Sequence, residues 1–384
     1  MENLKHIVYK KFFYCHMISD FHVKVCRPKT DGVSSIKNLL MNPTLRYSAW
    51  FMVVMITIGN LMVLMGRFIY RDENRSVSVV IRNLAVSDLI MGCYLGIICV
   101  QDYRFRDKFQ EISLEWTQSW GCVVAGMLSM ISSEVSIFIL TFMSVERFLL
   151  ISDPFGHHRL NTKNVMLCLF IIWSVGISIA ILPVILFYSS TKFYGIYNGG
   201  TCFPLFIQEK YPSGWQYSAI VFLGINSPLL VVVGTLYTFL LFSIWKTRKQ
   251  CTGRTFDFFD CEFAVRFFFI VLTDSTCWAP IVTFKFLTFM DFEISSDMYA
   301  WLVVLVLPLN AAVNPFLYTF STPKYRDQIY TTFSKRSFSK KHDSNSNQAT
   351  GDESHNKIMP LLNNSINGGN ISTPLRWLFT RKKS

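Results

Sequence analysis

Long apolar stretches separated by short polar segments dominate the first 320 residues of the chain. Their approximate bounds are 46–70, 77–100, 120–151, 164–188, 215–245, 263–290 and 298–320. Each stretch is long enough for the roughly 20 residues with which a helix crosses about 30 Å of hydrocarbon. The stretches do not alternate apolar and polar positions over about 10 residues, as the strands of a membrane barrel do. The pattern predicts an all-α membrane protein in which residues 46–322 form a seven-transmembrane helix bundle.

Basic residues in the short loops predict the orientation of this bundle, because cytosolic loops carry an excess of Lys and Arg. The loops after the first, third and fifth stretches, with the five residues on either side of each, contain eleven basic residues, and the other three loops counted in the same way contain five. The first set is therefore expected in the cytosol. Residues 1–45 are then extracellular and the C-terminus is cytosolic, in a multi-pass protein of the plasma membrane. The same bias and the basic tail account for the net charge of +12, so nucleic acid is not an expected partner.

Two further parts are predicted after the last apolar stretch. Tyr325, Ile329 and Phe333 recur every four residues, which favours a short amphipathic helix over 323–334 that lies on membrane lipid. Residues 335–384 are rich in Ser, Asn, Lys and Gly and are expected to be a disordered cytosolic tail. Its serines suit receptor kinases and arrestin, although a plain solvated tail explains each single serine equally well.

The 45 residues before the first stretch pose a problem of topology. They contain no continuous apolar region of the kind that marks a secretory signal peptide. No usable N-glycosylation sequon lies on the predicted extracellular side. Two explanations stay open: an N-terminal part of the natural protein precedes residue 1, or the first span inserts a short N-terminal tail as a signal anchor.

Four of the ten cysteines lie on the predicted extracellular side. Cys122 begins the third span, and Cys202 lies within the longest outer loop. A disulfide between them would tie this loop to the third span, whereas the pairing of Cys15 and Cys26 stays open. No cysteine spacing is typical of a zinc site.

Several polar residues lie inside the apolar stretches, where a carboxylate costs about 2.5–3.5 kcal/mol even on a lenient scale. The acids are Asp88, Glu134 and Asp274, and the amides are Asn60, Asn310 and Asn314. Such residues are expected to face the interior of the bundle and to mark function. For each of them alone, a hydrogen bond that holds two helices together is an equally good interpretation.

Five motifs occur in order along the spans: GN at Gly59, NLAVSDL at Asn83, ERF at Glu146, CWAP at Cys277 and NPFLY at Asn314. Together they resemble the rhodopsin-like G-protein-coupled receptors, whose fold is a seven-helix bundle. The resemblance to this family and to its hormone-receptor branch implies an activation switch. Its members here are Asp88, Glu134, Glu146, Arg147, Tyr237, Asp260, Asp274, Trp278, Pro280, Asn310, Asn314, Pro315 and Tyr318.

The same resemblance implies roles for some of these residues. Arg147 is expected to be held by Glu146 and Asp260 at rest and released toward a G protein on activation. Pro280 and Pro315 remove backbone hydrogen bonds, which predicts kinks about which a span can swing. The candidate ligands of an allosteric sodium ion, the one cofactor implied, are Asp88, Ser136 and Asn310.

Within that family, the sequence resembles most closely the receptors that carry leucine-rich repeats. SSEVSIFILTFM around Glu134 and FFFIVLTDSTCW around Asp274 resemble the glycoprotein-hormone and relaxin receptors. NGGTCFPL around Cys202 resembles the relaxin-receptor group and its invertebrate relatives, and CRPKTDGVSSIKNLL resembles the hinge that follows the repeats. Ser129 and Pro308 stand where an amine receptor needs an aspartate and a photoreceptor needs a lysine. Neither of those ligand chemistries is therefore expected.

The leading hypothesis is a receptor that transduces an extracellular peptide or protein hormone, relaxin-like, into heterotrimeric G-protein activation and cAMP signalling. The alternative is a truncated, non-signalling form that dimerises with or regulates the full-length receptor, and a homodimer is compatible with either. A transporter or channel is disfavoured because no inverted repeat is apparent. An enzyme is disfavoured because no metal-ligand cluster, nucleophile–base arrangement or phosphate-binding glycine loop is apparent.

Overall fold

The computed structural model of the chain describes most of the bundle and parts of its outer segments. The described residues are 6–8, 25–27, 33–35, 37–69, 75–152, 160–186, 193–195, 200–205, 207, 211, 214–250, 258–292 and 294–317. Over 243–250 and 258–268 only the backbone is described, so the side chain of Asp260 is not placed. Tyr318, the predicted amphipathic helix over 323–334 and the tail over 335–384 lie outside the described residues.

Seven long helices follow one another in the described part of the chain and are called the first to the seventh span. The first four are Pro43–Ile69, Arg75–Arg104, Trp120–Ser152 and Thr162–Leu186. The fifth joins Trp215–Ala219, a π-helical segment Ile220–Asn226 and Ser227–Gln250; the sixth is Phe258–Phe289; and the seventh joins Ser296–Trp301, a π-helical segment Leu302–Val306 and Leu307–Pro315. Within the described residues, six of these helices are long and apolar enough to cross a membrane. The predicted seven-helix bundle is confirmed.

Two short strands precede the bundle and were not predicted. His6–Val8 and Val25–Arg27 pair in parallel, with His6 opposite Val25. Runs of three residues are too short to show the alternation that identifies a strand in a sequence. A further helix that was not predicted, Phe109–Gln118, lies between the second and third spans and is called the loop helix.

Small residues allow the spans to approach closely, as is usual for helices that pack in a membrane. A Cβ atom on Gly59 would lie 2.9 Å from Cγ of Pro315, so the proline ring of the seventh span packs directly on the backbone of the first span. Likewise, a Cβ atom on Gly176 would lie 2.6 Å from Cγ2 of Val135, where the fourth span meets the third. These contacts place the polar residues of the span interiors next to one another.

The two π-helical segments each lie next to a proline of the same span. Pro228 follows Ile220–Asn226, and Pro308 follows Leu302–Val306. A proline has no N–H group and its ring clashes with the carbonyl four residues before it, so the preceding turn widens. In the fifth span, Asn226 occupies the last position of the widened turn.

Two clusters of buried apolar side chains fill the bundle and have a polar layer between them. One cluster surrounds the disulfide described below and includes Leu40, Phe203 and Trp278. The other includes Leu140 and Tyr237 and lies toward Arg147. The two ends of the bundle are therefore called the disulfide end and the Arg147 end.

Candidate functional site

Asp88 of the second span is buried in the polar layer and has partners on the third and seventh spans. Its Oδ2 accepts a hydrogen bond from Asn314 Nδ2 at 2.9 Å, and its Oδ1 accepts one from Ser136 Oγ at 3.5 Å. Ser136 Oγ lies 3.1 Å from Ser87 Oγ. Ser132 Oγ donates to the Ser87 carbonyl at 2.7 Å. This layer therefore joins three spans through side chains that the sequence places far apart.

Asp274 of the sixth span has its partner on the seventh span. Asn310 Nδ2 donates a hydrogen bond to Asp274 Oδ1, and both side chains are buried. The sequence predicted one small polar cavity made of Asp88, Ser136, Asn310 and Asn314. In the structure Ser136 and Asn314 bond Asp88, whereas Asn310 bonds Asp274. The two asparagines lie one helical turn apart, so they reach acids at two different depths. The Oδ1 atoms of both asparagines are buried and have no hydrogen-bond partner among the described residues.

Glu134 of the third span is fully buried and bonds the fifth span. Asn226 Nδ2 donates to Glu134 Oε1 at 2.9 Å, and both residues are 0% exposed. Glu134 Oε2 has no hydrogen-bond partner among the described residues. Asn226 was missed in the sequence, although an amide in an apolar stretch was a signal that could have revealed it. The π-helical turn that ends at Asn226 contributes to its position opposite the acid.

Arg147 lies near the end of the third span and contacts its neighbour in sequence. Its Nη2 lies 3.3 Å from Glu146 Oε2, and both side chains are largely buried. Tyr237 of the fifth span is buried in the same apolar cluster as Leu140 and Met143 of the third span. The predicted contact between Arg147 and Asp260 stays a prediction, because the Asp260 side chain lies outside the description.

Trp278 is buried in the disulfide-end cluster, two residues before Pro280 in the sixth span. Its ring centroid lies 6.3 Å from that of Phe222 on the fifth span, and Phe222 lies 5.9 Å from Phe203 in the loop between the fourth and fifth spans. A continuous row of aromatic rings thus connects this loop to the sixth span. Pro315 lies in the last turn of the seventh span, packed on Gly59.

The loop between the fourth and fifth spans fills the disulfide end of the bundle. Its described residues 200–205 and 207 are all buried. Donors on four different helices bond their carbonyls: Trp116 Nε1 to Gly200 at 2.8 Å, Tyr94 OH to Thr201 at 3.0 Å, Tyr299 OH to Phe203 at 3.0 Å, and Thr288 Oγ1 to Ile207 at 2.9 Å. The predicted disulfide between Cys122 and Cys202 is confirmed. Buried backbone carbonyls need such partners, and here the partners lie on the helices. The described part of this loop is therefore fixed to the bundle by hydrogen bonds.

Another part of the same loop is fixed by Tyr194. This residue is fully buried, and its hydroxyl donates to the Ala180 carbonyl at 2.6 Å. Burial raises the pKa of the Tyr194 phenol, so the group keeps the proton that it donates. Its ring packs directly over Gly126, where a Cβ atom would collide with it.

The segment before the first span is docked on the disulfide end. Leu39 and Leu40 are fully buried, and Leu39 packs against Gly200 of the loop. The Leu40 N–H donates to Asp102 Oδ1 at 2.8 Å, and Arg46 of the first span forms an ion pair with the same carboxylate. Arg46 Nη2 also donates to the Leu40 carbonyl at 2.9 Å. The Asp102 carboxylate of the second span therefore holds both the segment and the first span.

The bundle has seven long helices, three buried acids in its interior, and an ion pair between Arg147 and Glu146 at one end. These features define a multi-pass membrane protein with the architecture of a receptor. The family model described as 7 transmembrane receptor (rhodopsin family) matches residues 59–318. The chain belongs to that family.

Curated relatives place the similarity within one branch of the family. The chain is 37% identical over 333 residues to relaxin receptor 2 of Canis lupus familiaris, which covers 86% of this chain and 44% of that protein. It is 35% identical over 331 residues to relaxin receptor 1 of Homo sapiens, covering 85% of this chain and 43% of that protein. It is 33% identical over 304 residues to the G-protein coupled receptor GRL101 of Lymnaea stagnalis, covering 79% of this chain and 27% of that protein. The resemblance to the relaxin-receptor branch is confirmed, and the chain spans less than half the length of these relatives.

Proposed function

We propose that the chain is a hormone receptor that converts the binding of an extracellular peptide or protein, relaxin-like, into activation of a heterotrimeric G protein, with cAMP as the second messenger. The relaxin receptors among its relatives support the ligand class. The observation that carries the proposal is the row of rings that runs from Phe203 in the loop through Phe222 to Trp278 of the sixth span. This row gives a signal received at the disulfide end a packed route to the sixth span.

The orientation that fits this function places the disulfide end outside the cell and the Arg147 end in the cytosol, at the plasma membrane. The excess of basic residues in the loops of the Arg147 end supports it. Partners on the cytosolic side are then the G protein, and arrestin and receptor kinases at the serine-rich tail. Membrane lipid under the segment 323–334 and a homodimer are further expected partners.

The sixth span is the element proposed to move. The Asp274–Asn310 bond ties it to the seventh span, and Pro280 leaves a carbonyl of the helix without its backbone partner. Loss of the tie favours a swing of the sixth span about this kink. The swing would uncover Arg147, whose guanidinium lies beside Glu146.

A sodium ion is proposed in the polar layer as an allosteric cofactor. Hard cations take oxygen ligands, and the layer offers Asp88 with Ser136 and the Oδ1 atoms of Asn310 and Asn314, which have no hydrogen-bond partner among the described residues. The ion would supply a counter-charge to Asp88 in the membrane interior. We expect NaCl to raise the thermal stability of the purified chain more than choline chloride does, and Asp88→Asn to remove the difference. Equal stability in both salts would contradict the sodium site.

The function is tested by nucleotide exchange on a purified G protein reconstituted with the full chain. Asp274→Ala removes the tie between the sixth and seventh spans and is expected to raise basal exchange severalfold over wild type. Asp297→Ala, an exposed acid in the first turn of the seventh span, is the matched control. The double variant Asp274→Ala/Arg147→Ala should fall back to the level without receptor. Full exchange in that double variant would contradict the mechanism, and no exchange in any variant would favour the non-signalling alternative.

A further inference from the structure

Arg82 is a charged residue on the side of the second span that faces lipid. The exposed or half-buried positions Arg75, Val79, Arg82 and Val86 follow one another at spacings of four, three and four residues, which is one face of a helix. Arg82 lies seven residues from the first residue of the span, or about 10 Å along the helix axis. A guanidinium at that depth is unfavourable unless it meets a polar or charged partner.

The Arg82 side chain is oriented by two contacts. Its Nε donates to the Ser78 carbonyl at 3.3 Å, one turn nearer the start of the span. Its Cζ lies 5.1 Å from the ring centroid of Phe68 on the first span, and Phe68 is 73% exposed. The guanidinium is therefore turned toward the membrane surface at the Arg147 end and lies against an aromatic ring that faces lipid.

The rest of the guanidinium is available to a ligand. The Nε bond uses one of its five N–H donors, and the Nη groups have no acceptor among the described residues. Arg82 also forms no ion pair with a carboxylate in the described part of the chain. Arg75, on the same face, adds an exposed positive charge between Arg82 and the membrane surface.

We propose that Arg82, Arg75 and Phe68 form a binding site for the phosphate of an anionic phospholipid. The planar donor fork of arginine matches the oxygens of a phosphate group. The neighbouring first-span side chains Met65, Phe68 and Ile69 are all exposed and apolar, so they provide a wall for acyl chains. The lipid belongs to the cytosolic leaflet, an assignment that rests on the orientation given under Proposed function. A soluble phosphate lacks the acyl chains that this wall accommodates.

The proposal is tested by native mass spectrometry of the purified full chain with short-chain phosphatidylserine. Arg82→Gln is expected to lower the affinity about fivefold, the effect of one basic residue at an anionic membrane surface. Arg82→Lys, which keeps the charge but loses the fork, should give an intermediate loss and guards against misfolding of the first variant. Arg104→Gln, an exposed arginine at the other end of the same span, is the matched control and should bind as wild type does.

Three outcomes would overturn the proposal. Equal affinity in Arg82→Gln and Arg104→Gln would place the lipid elsewhere. Equal binding of phosphatidylcholine would show that anionic charge is not recognised, and competition by millimolar inorganic phosphate would identify a free anion as the ligand. Nucleotide exchange measured on the same samples reports on the proposed receptor function separately, so failure of one does not imply failure of the other.

Discussion

Replacing Asp102 by alanine is expected to free the segment before the first span from the bundle. The carboxylate is 1% exposed and is the shared acceptor for Arg46 and for the Leu40 N–H. Its loss leaves the Leu40 N–H without its acceptor and leaves the Arg46 guanidinium with the Leu40 carbonyl but no counter-charge. The variant therefore tests whether this ion pair is what docks the segment.

The magnitude follows from the two interactions that are lost. Removing one member of a buried ion pair costs about 3–5 kcal/mol, because the other charge stays buried alone. The Arg46 side chain is 13% exposed, so water partly replaces its partner and the lower end of that range applies. An unsatisfied N–H on Leu40 adds about 1–3 kcal/mol. Because the two effects overlap, we expect about 4 kcal/mol, which is close to a thousandfold in the opening equilibrium of the segment.

Hydrogen–deuterium exchange of the purified full chain measures this opening directly. The peptide that contains 37–42 should lose its protection in Asp102→Ala, while peptides from the third span keep theirs. Glu111→Ala, an exposed acid on the neighbouring loop helix, is the control and should leave exchange unchanged. The double variant Asp102→Leu/Arg46→Met removes both charges and should recover much of the loss, because buried pairs are often replaceable by apolar side chains.

Two results would refute this reasoning. Protection of the Leu40 amide in Asp102→Ala equal to that in wild type would mean that apolar burial of Leu39 and Leu40 alone holds the segment. A double variant that is less protected than Asp102→Ala would mean that the charges contribute separately and not as a pair.

Three further predictions follow from buried contacts and use thermal unfolding of the purified chain. Gly59→Ala places a methyl group 2.9 Å from the rigid ring of a proline and should lower the free energy of unfolding by about 1–3 kcal/mol. Gly224→Ala, whose Cβ would meet no described atom within 4 Å, is the control and should lower it by less than about 1 kcal/mol. Equal losses in the two variants would contradict the packing at Gly59. Glu134→Ala leaves the Asn226 amide unpaired and should cost about 1–3 kcal/mol, and an unchanged melting temperature would show that the bond is not formed. Cys202→Ser opens a link between residues 80 apart and should cost up to about 4 kcal/mol by chain entropy, a loss that dithiothreitol should reproduce in wild type.

The buried loop has a consequence for ligand access. Residues 200–205 occupy the disulfide end of the bundle, where Phe203 begins the row of rings that ends at Trp278. A ligand that enters from that end meets the loop before it meets the sixth span. Under the proposed function, the described loop residues are therefore the first candidates for transmitting a signal inward.

The number and order of the spans were predictable from the sequence because the signal is local. A helix in hydrocarbon satisfies all of its backbone groups within itself, so about 20 apolar residues in a row are enough to identify it. The disulfide was also predictable, since only a few cysteines share one side of the predicted membrane. The loop helix and the two strands were not, because short elements in mixed polar sequence carry no comparable periodicity.

The partners of the polar residues were decided by the tertiary structure alone. The sequence marked Asp88, Glu134 and Asp274 as unusual because a lone carboxylate in a membrane is unfavourable wherever it occurs. Which amide each acid meets depends on the depth and rotation of a second helix. Asn310 therefore bonds Asp274 and not Asp88, and Asn226 bonds Glu134 beside a widened turn. The sequence by itself determined that the chain spans a membrane seven times with acids inside the bundle. Only the packing of the helices decided which side chains bond those acids, because hydrogen bonds depend on distances between helices that spacing along the chain does not specify.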